Sequence, residues 1–392
     1  MIGALGEKIN AHGLRMLLLP MSCYLLSFFL PVDSRLNNNI FYVFVLIPFV
    51  LCIEKRDIFK YLASSTIFKL SIAFSLYLVA RSAFYFDTNV ILYFEPARHF
   101  ISWAVFMAVS AGLLLRSSLL NSIKLLSIWA SLWGAGNLIY FYWDHDLSTR
   151  LIYNGPVYHE ILGASVYAFL CVLAATIAMR PQHESFGMYF VAIALLVCVF
   201  MSQSRGVILA VLVSIFFAIP FARIKIVAPL IAASVLAFSI AFSLFSENLA
   251  RITQLTTSYR IDIWSQVLKD SLAEGTWLFG NSLLASHEIS VGSATFNHMH
   301  SGYFGTYFYG GLVGFMMLLM LILGIGCKVY ALGKENKDPM PIGLFVFMVF
   351  IISTDNHLLL DGPSEIWFYF WLPASILIAK ELQNKHVKQS RS

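Results

Sequence analysis

Residues 303–327 read YFGTYFYGGLVGFMMLLMLILGIGC and contain no charged side chain. An uncharged, apolar run of this length is long enough to cross the hydrocarbon core of a bilayer as an α-helix. Similar runs recur along the whole chain, at 15–31, 40–53, 67–86, 99–115, 119–143, 160–179, 186–202, 206–221, 224–245, 341–357 and 364–380. Because lipid leaves no backbone group unpaired, these runs predict an all-α integral membrane protein with about twelve transmembrane helices.

Composition and charge agree with a membrane protein. Hydrophobic residues make up 59% of the 392 residues and charged residues 12%, whereas a soluble domain carries about 25% charged residues. The loops on one side of the predicted membrane, with both termini, receive most of the 26 lysine and arginine residues. Basic loops stay in the cytoplasm, so both termini are predicted to be cytoplasmic. The net charge of +5 therefore needs no nucleic-acid partner, and residues 1–392 are predicted to form a single polytopic membrane domain.

The longest polar interval, residues 246–302, lies between the ninth and tenth predicted spans. Alternation of the spans places this loop on the outer side of the membrane. Apolar residues recur at helical spacing between 261 and 272 and predict a short amphipathic helix along the membrane interface. Arg260 stands in the first turn of this helix, and His298 and His300 immediately precede the tenth span.

Arginine and histidine on this outer side predict a reaction on a diphosphate. Arg205 lies in the tight turn between the seventh and eighth spans, on the same side as Arg260. Arginine stays charged and binds phosphate oxygens bidentately, so two arginines suit a diphosphate leaving group. A neutral imidazole can accept the proton of a hydroxyl nucleophile. The residues therefore predict transfer of a group from a diphosphate to an alcohol.

Two other interpretations of these residues stay open. His298 and His300 form an HxH pair that zinc can use, although no third ligand lies near them in the sequence. Arg205 alone is also typical of an arginine that reaches the membrane surface from a helix end.

These motifs resemble the signature of the O-antigen ligase and polymerase superfamily, over roughly residues 202–314. The twelve-span topology extends the resemblance to the full chain. The motif residues that carry it are Ser204-Arg205-Gly206, Arg260 with Trp264 and Leu268, Gly280, His298-Met299-His300-Ser301 with Tyr303, and Gly310-Gly311-Leu312-Val313-Gly314. Trp277 and Ser282 depart from the proline and second glycine often seen around Gly280.

The resemblance implies a GT-C-like, inverting, metal-independent glycosyltransferase that uses no cofactor and acts at the periplasmic face of the bacterial inner membrane. In the ligase branch, O-antigen polysaccharide moves from undecaprenyl diphosphate to a sugar of the lipid A core, so donor, acceptor and membrane lipids are the implied partners. By the same resemblance, Arg205 and Arg260 bind the diphosphate and His300 activates the acceptor hydroxyl, with His298 as second candidate. Further candidate contacts to donor or acceptor are Arg98, Arg251, Ser301 and Tyr303.

Two alternatives to a ligase remain at this point. A polymerase of the same superfamily differs in its acceptor, which is another undecaprenyl-linked chain, and the motif residues do not indicate which acceptor is used. A twelve-helix transporter or lipid flippase predicts ionisable residues near the bilayer midplane, whereas most charges here stand at span ends. Arg81, inside the third span, is the nearest to an exception.

Overall fold

The computed structural model describes residues 11–52, 55–84, 94–116, 118–180, 186–219, 259–285, 288–291, 294–297, 299–353 and 358–390. These residues are mostly helical. The elements before the long loop are α1 Ala11–Met16, α2 Leu18–Ser27, α3 Ser34–Ile40, a π-helical turn Phe41–Leu46, α4 Ile47–Cys52, α5 Lys55–Leu62, α6 Thr66–Ser82, α7 Phe94–Leu115, α8 Ser118–Asp144, α9 Glu160–Ala178, α10 Phe186–Met201 and α11 Arg205–Ala218. The later elements are α12 Arg260–Ala273, β1 Ile289–Val291, β2 Ala294–Phe296, α13 Gly302–Asn336, α14 Pro339–Ile351, a π-helical turn Trp367–Trp371 and α15 Leu372–Gln389.

The predicted spans are helical over most of the residues that the structure describes, although the first ends at Ser27 and the third at Ser82, earlier than predicted. The ninth, 224–245, lies outside the described residues, so the total of about twelve spans stays a prediction. Within the described residues, four stretches are long and apolar enough to cross a membrane: Ser34–Leu51, Phe94–Leu115, Glu160–Ala178 and Gly302–Glu335. Shorter apolar helices accompany them, at Leu14–Ser27, Gly187–Met201, Arg205–Ala218 and Pro339–Ile351.

The helices pack in a bundle whose strongest pairings join α9 to α10, α11 to α14, α13 to α6 and α15 to α7. Large aromatic side chains fill its centre. Trp103 of α7 meets Trp371 edge to face with ring centroids 5.0 Å apart, and Trp367 meets Phe41 at 4.9 Å. Aromatic pairs in these tilted arrangements add favourable quadrupole contacts to the burial of their area.

Contacts along the bundle define its two ends. A Cβ built on Gly343, near the start of α14, would touch Thr176 and Ala218, which lie at the ends of α9 and α11. At the other end of α14, the carbonyl of Ile352 accepts a hydrogen bond of 2.7 Å from the amide of Gly302, where α13 begins. Helices α11 and α14 therefore run antiparallel, and the start of α11 lies near the end of α14. The start of α13 lies there too, so α11 and α13 begin at the same end of the bundle. This end, which carries Arg205 and His300, is called the site end below.

The opposite end is held by two carboxylates, that of Asp338, which is partly buried, and that of Glu381, which is buried. Asp338 caps α14 and accepts two hydrogen bonds of 3.0 Å from Arg180 and one of 2.6 Å from Lys380. Burial acts to raise the pKa of Asp338, but these two cations outweigh burial and hold that pKa below its usual value. Glu381 of α15 accepts a hydrogen bond of 2.6 Å from Ser65, at the start of α6. The two carboxylates thus tie α9, α14, α15 and α6 together.

Candidate functional site

The amphipathic helix predicted between 261 and 272 is confirmed as α12, Arg260–Ala273. Its buried face consists of Ile263, Val267 and Ser271, which are spaced four residues apart as a helical stripe requires. A second stripe is exposed and apolar, formed by Ile261, Leu268 and Leu272. A short helix with one apolar face on the protein and another directed outward suits a position at the membrane interface.

Trp264 joins α12 to the segment that precedes His300. Its indole Nε1 donates a hydrogen bond of 2.9 Å to the carbonyl of Met299. The indole also stacks on Phe304 of α13, with ring centroids 4.6 Å apart and planes inclined by 5°. Arg260 lies about one helical turn before Trp264. Arg260 and His300 therefore belong to one packed unit.

A short hairpin completes this unit. Strand β1 pairs antiparallel with β2, with Ile289 opposite Phe296. The ring of Phe296 packs on the ring of Tyr259, the neighbour of Arg260, with ring centroids 5.4 Å apart. It also meets the ring of His300 edge to face, with centroids 6.2 Å apart. Ile289 and Met299 are buried together against α12. The hairpin thus fills the space between the start of α12 and His300.

His300 has a left-handed backbone. Its φ angle is +51°, which non-glycine residues seldom adopt, although histidine does so more often than most. Ser301 is extended and caps α13 without a side-chain hydrogen bond. Unusual backbone conformations of this kind concentrate at functional sites. His298 and Arg251, two further predicted site residues, lie outside the described residues.

Arg205 is the first residue of α11 and is exposed at the site end. The turn before it is held by the segment after α8. Arg150 donates a hydrogen bond of 3.2 Å to the carbonyl of Ser202, and the side chain of Gln203 donates one of 3.0 Å to the carbonyl of Ser148. Arg205 and His300 thus lie at the same end of the bundle, and the convergence of Arg205 with Arg260 stays a prediction.

The remaining candidate contacts have their own surroundings. Arg98 is exposed and pairs with Glu95 at 3.3 Å, close to His99. The hydroxyl of Tyr303 donates a hydrogen bond of 3.0 Å to the carbonyl of Val349, and Ser301 is buried. Tyr303 therefore holds α13 on α14.

Helix α13 is broken at Gly311, where φ is +63° and ψ is −164°. Residues 277–282, called the anchor turn below, pair with the backbone at this break. The hydrogen bonds run from Asn281 to Phe308 at 2.8 Å, from Ser282 to Tyr309 at 3.0 Å, from Leu312 to Trp277 at 2.9 Å and from Val313 to Leu278 at 3.1 Å, each from amide to carbonyl. The anchor turn, which follows α12 in the chain, is thus hydrogen-bonded to α13 on both sides of the break.

The anchor turn contains Ser282, which departs from the pattern of the superfamily that the motifs resemble. Ser282 stands where a second glycine is often found, and it is buried with φ at +81°, the region that glycine tolerates best. Its hydroxyl oxygen accepts a hydrogen bond of 3.2 Å from the amide of Leu284. Serine therefore occupies this position with a local hydrogen bond.

No protein-family model matches the chain. Over 92% of its length, however, it is 23% identical to a protein of Pseudomonas aeruginosa named O-antigen ligase. This chain is similar to an O-antigen ligase. The aligned region covers 89% of the Pseudomonas ligase. The resemblance to the O-antigen ligases is therefore confirmed, and it extends beyond residues 202–314 to nearly the whole chain.

Two structural features were not predicted from the sequence as parts of the site. One is the break of α13 at Gly311, and the other is the contact of Arg81 with the anchor turn. Signals for both exist in the sequence, because Arg81 is a charge inside an apolar run and the motif that resembles the ligases contains Gly310-Gly311.

Proposed function

We propose that this protein is an O-antigen ligase, which transfers polysaccharide from undecaprenyl diphosphate to the lipid A core at the periplasmic face of the bacterial inner membrane. Similarity to the Pseudomonas ligase over 92% of the chain supports the reaction class. The observation that carries the proposal is the packed unit of α12, in which the helix that begins with Arg260 is bonded through Trp264 to the residue before His300.

Arg260 and Arg205 have the same local setting, since each is the first residue of a helix. Backbone amides at a helix start and a guanidinium both favour an anion. In the proposed reaction, Arg260 and Arg205 bind the diphosphate. They stabilise the negative charge that develops as the bond between sugar C1 and the diphosphate oxygen breaks.

His300 takes the proton of the acceptor hydroxyl in this mechanism. The acceptor oxygen then forms the new bond to C1 from the face opposite the diphosphate, so the configuration at C1 inverts. The proton ends on the imidazole, and the electron pair of the broken bond leaves with undecaprenyl diphosphate. No metal or cofactor takes part in these steps.

The break in α13 favours an enzyme over a transporter. In many transporters, the ends of a broken helix are left for substrate or ions. At Gly311, the carbonyls of Phe308 and Tyr309 and the amides of Leu312 and Val313 are instead bonded to the anchor turn. This break therefore attaches the anchor turn, and with it the end of α12, to α13.

The proposal is tested with purified protein in lipid nanodiscs, supplied with an undecaprenyl-diphosphate-linked glycan and lipid A core. We expect a slower-migrating, glycan-bearing core on a gel, formed at the same rate in the presence of EDTA. Lengthening of the lipid-linked glycan without modified core would instead identify a polymerase. Activity that EDTA removes and zinc restores would contradict metal independence and revive the HxH ligand interpretation.

Substitution of His300 by asparagine tests the proposed base. Asparagine tolerates a left-handed backbone but cannot take up the hydroxyl proton, so the rate of transfer should fall about a hundred-fold to ten-thousand-fold. We expect the unfolding temperature to change little. The control is His386→Asn at the opposite end, which should transfer normally. A normal rate for His300→Asn would remove His300 from the mechanism.

A further inference from the structure

Arg81 of α6 binds the anchor turn through two hydrogen bonds. Its Nε donates to the carbonyl of Phe279 at 2.9 Å, and its Nη2 donates to the carbonyl of Gly280 at 2.8 Å. Arginine presents its donors as a planar fork, so one side chain fixes both carbonyls at once. Arg81 stands in the last turn of α6 and is partly exposed, and both of its hydrogen bonds go to the anchor turn.

Neighbouring residues of α6 contact the same region. The hydroxyl of Tyr77 donates a hydrogen bond of 2.6 Å to the carbonyl of Gly310 at the break of α13. The hydroxyl oxygen of Ser82 accepts one of 3.2 Å from the amide of Leu283, just after the anchor turn. Tyr77, Arg81 and Ser82 thus hold the anchor turn and the break against α6.

The anchor turn follows directly from the end of α12. The amides of Thr276 and Trp277 donate to the carbonyl of Ser271, at 2.9 and 3.0 Å, in the last turn of the helix. Helix α12 is about 20 Å long at 1.5 Å per residue, and Arg260 stands at its far end. The start of α12 is attached through Trp264 and Tyr259 and its end through the anchor turn, so a change at the anchor turn tilts the helix and alters the position of Arg260.

We infer that Arg81 is a positioning residue for the transfer reaction. It holds the anchor turn in the break of α13, and through α12 it sets the position of Arg260 relative to His300. It acts through these residues and does not touch the substrate. The inference rests on the proposed function and adds to it a residue about 180 positions before Arg260 in the chain.

The first test compares Arg81→Met with Arg81→Lys. Arg81→Met should lower kcat/KM per folded protein by about a hundred-fold, as misplacement of a site by about 1 Å can do. Arg81→Lys keeps the charge but loses the fork, and should recover part of the rate. The matched control, Arg180→Met, removes a paired arginine at the opposite end. It should lower the unfolding temperature and leave transfer by the folded protein unchanged.

A double mutant separates positioning from a general loss of stability. If Arg81 acts through Arg260, then Arg81→Met together with Arg260→Ala should transfer no more slowly than Arg260→Ala alone, because coupled residues are not additive. Multiplied losses, or a normal rate for folded Arg81→Met, would overturn the inference.

Amide hydrogen exchange reports on the contact between Arg81 and the anchor turn without any substrate. In Arg81→Met, exchange should speed up at the amides of Asn281, Ser282, Leu312 and Val313, which bond across the break. Unchanged exchange there overturns the inference, whatever the enzyme does. Wild-type protein that transfers no glycan overturns the proposed function instead, and the exchange result still decides whether Arg81 holds the anchor turn.

Discussion

Arg260→Ala is expected to lower the rate of glycan transfer about a thousand-fold or more, while the protein still folds and inserts into the membrane. A donor aimed at charge that develops in the transition state is worth about a hundred-fold to a thousand-fold in kcat. An arginine that stabilises a leaving phosphate group can contribute more. Arg260 stands at the start of α12, where helix amides add to its effect.

The rate is measured with the nanodisc assay, at saturating acceptor and varied donor. Arg260→Lys should retain an intermediate rate, because lysine keeps the charge but loses bidentate geometry. Lys269→Ala is the matched control, since it removes an exposed positive charge from the same helix. It should transfer at the normal rate. Equal losses for Lys269→Ala and Arg260→Ala would show that α12 contributes only its general positive charge.

Gly311→Ala is expected to leave almost no folded protein. The backbone at Gly311 has φ +63° and ψ −164°, a region that is essentially restricted to glycine and costs other residues about 1–3 kcal/mol. An added Cβ would lie 2.4 Å from the carbonyl carbon and oxygen of Leu278 and 2.5 Å from the amide nitrogen of Gly280. These are backbone atoms of the anchor turn, so no flexible side chain can move away.

Two other glycines separate these contributions. Gly275 has φ +72° with open space around it, so Gly275→Ala tests backbone strain alone and should cost about 1–2 kcal/mol. Gly136 lies within α8 with nothing near its would-be Cβ, and Gly136→Ala should be neutral or stabilise by about 0.5–1 kcal/mol. Thermal unfolding in detergent ranks the three variants. A Gly311→Ala protein as stable as Gly136→Ala would contradict the close packing at the break.

Much of the fold follows from the sequence because the bilayer imposes the length and apolarity of each span. The run 303–327 predicts a helix, and α13 covers it. The periodicity between 261 and 272 likewise predicts α12, because a helix must bury one stripe. The same reasoning cannot find the break at Gly311, since apolarity reports on burial in lipid and does not report on backbone dihedral angles.

Within the candidate site, residue chemistry and position in the chain predict Arg260, Arg205 and His300. Arginine and histidine are recognisable from the sequence because few other side chains can bind a diphosphate or take up a proton near neutral pH. The left-handed backbone of His300 is invisible at that level, because it depends on how the hairpin and α13 meet.

By itself, the sequence determined that this protein is a helical membrane protein and that a short amphipathic helix begins near Arg260. The first conclusion rests on the length of uncharged apolar runs and the second on helical periodicity, and both are local properties of the sequence. Only the tertiary structure decided that Arg81 of α6 bonds to the anchor turn, and that α12 joins the residue before His300 through Trp264. Those contacts link residues far apart in the chain, and their partners are backbone carbonyls, which every residue carries and no sequence pattern distinguishes.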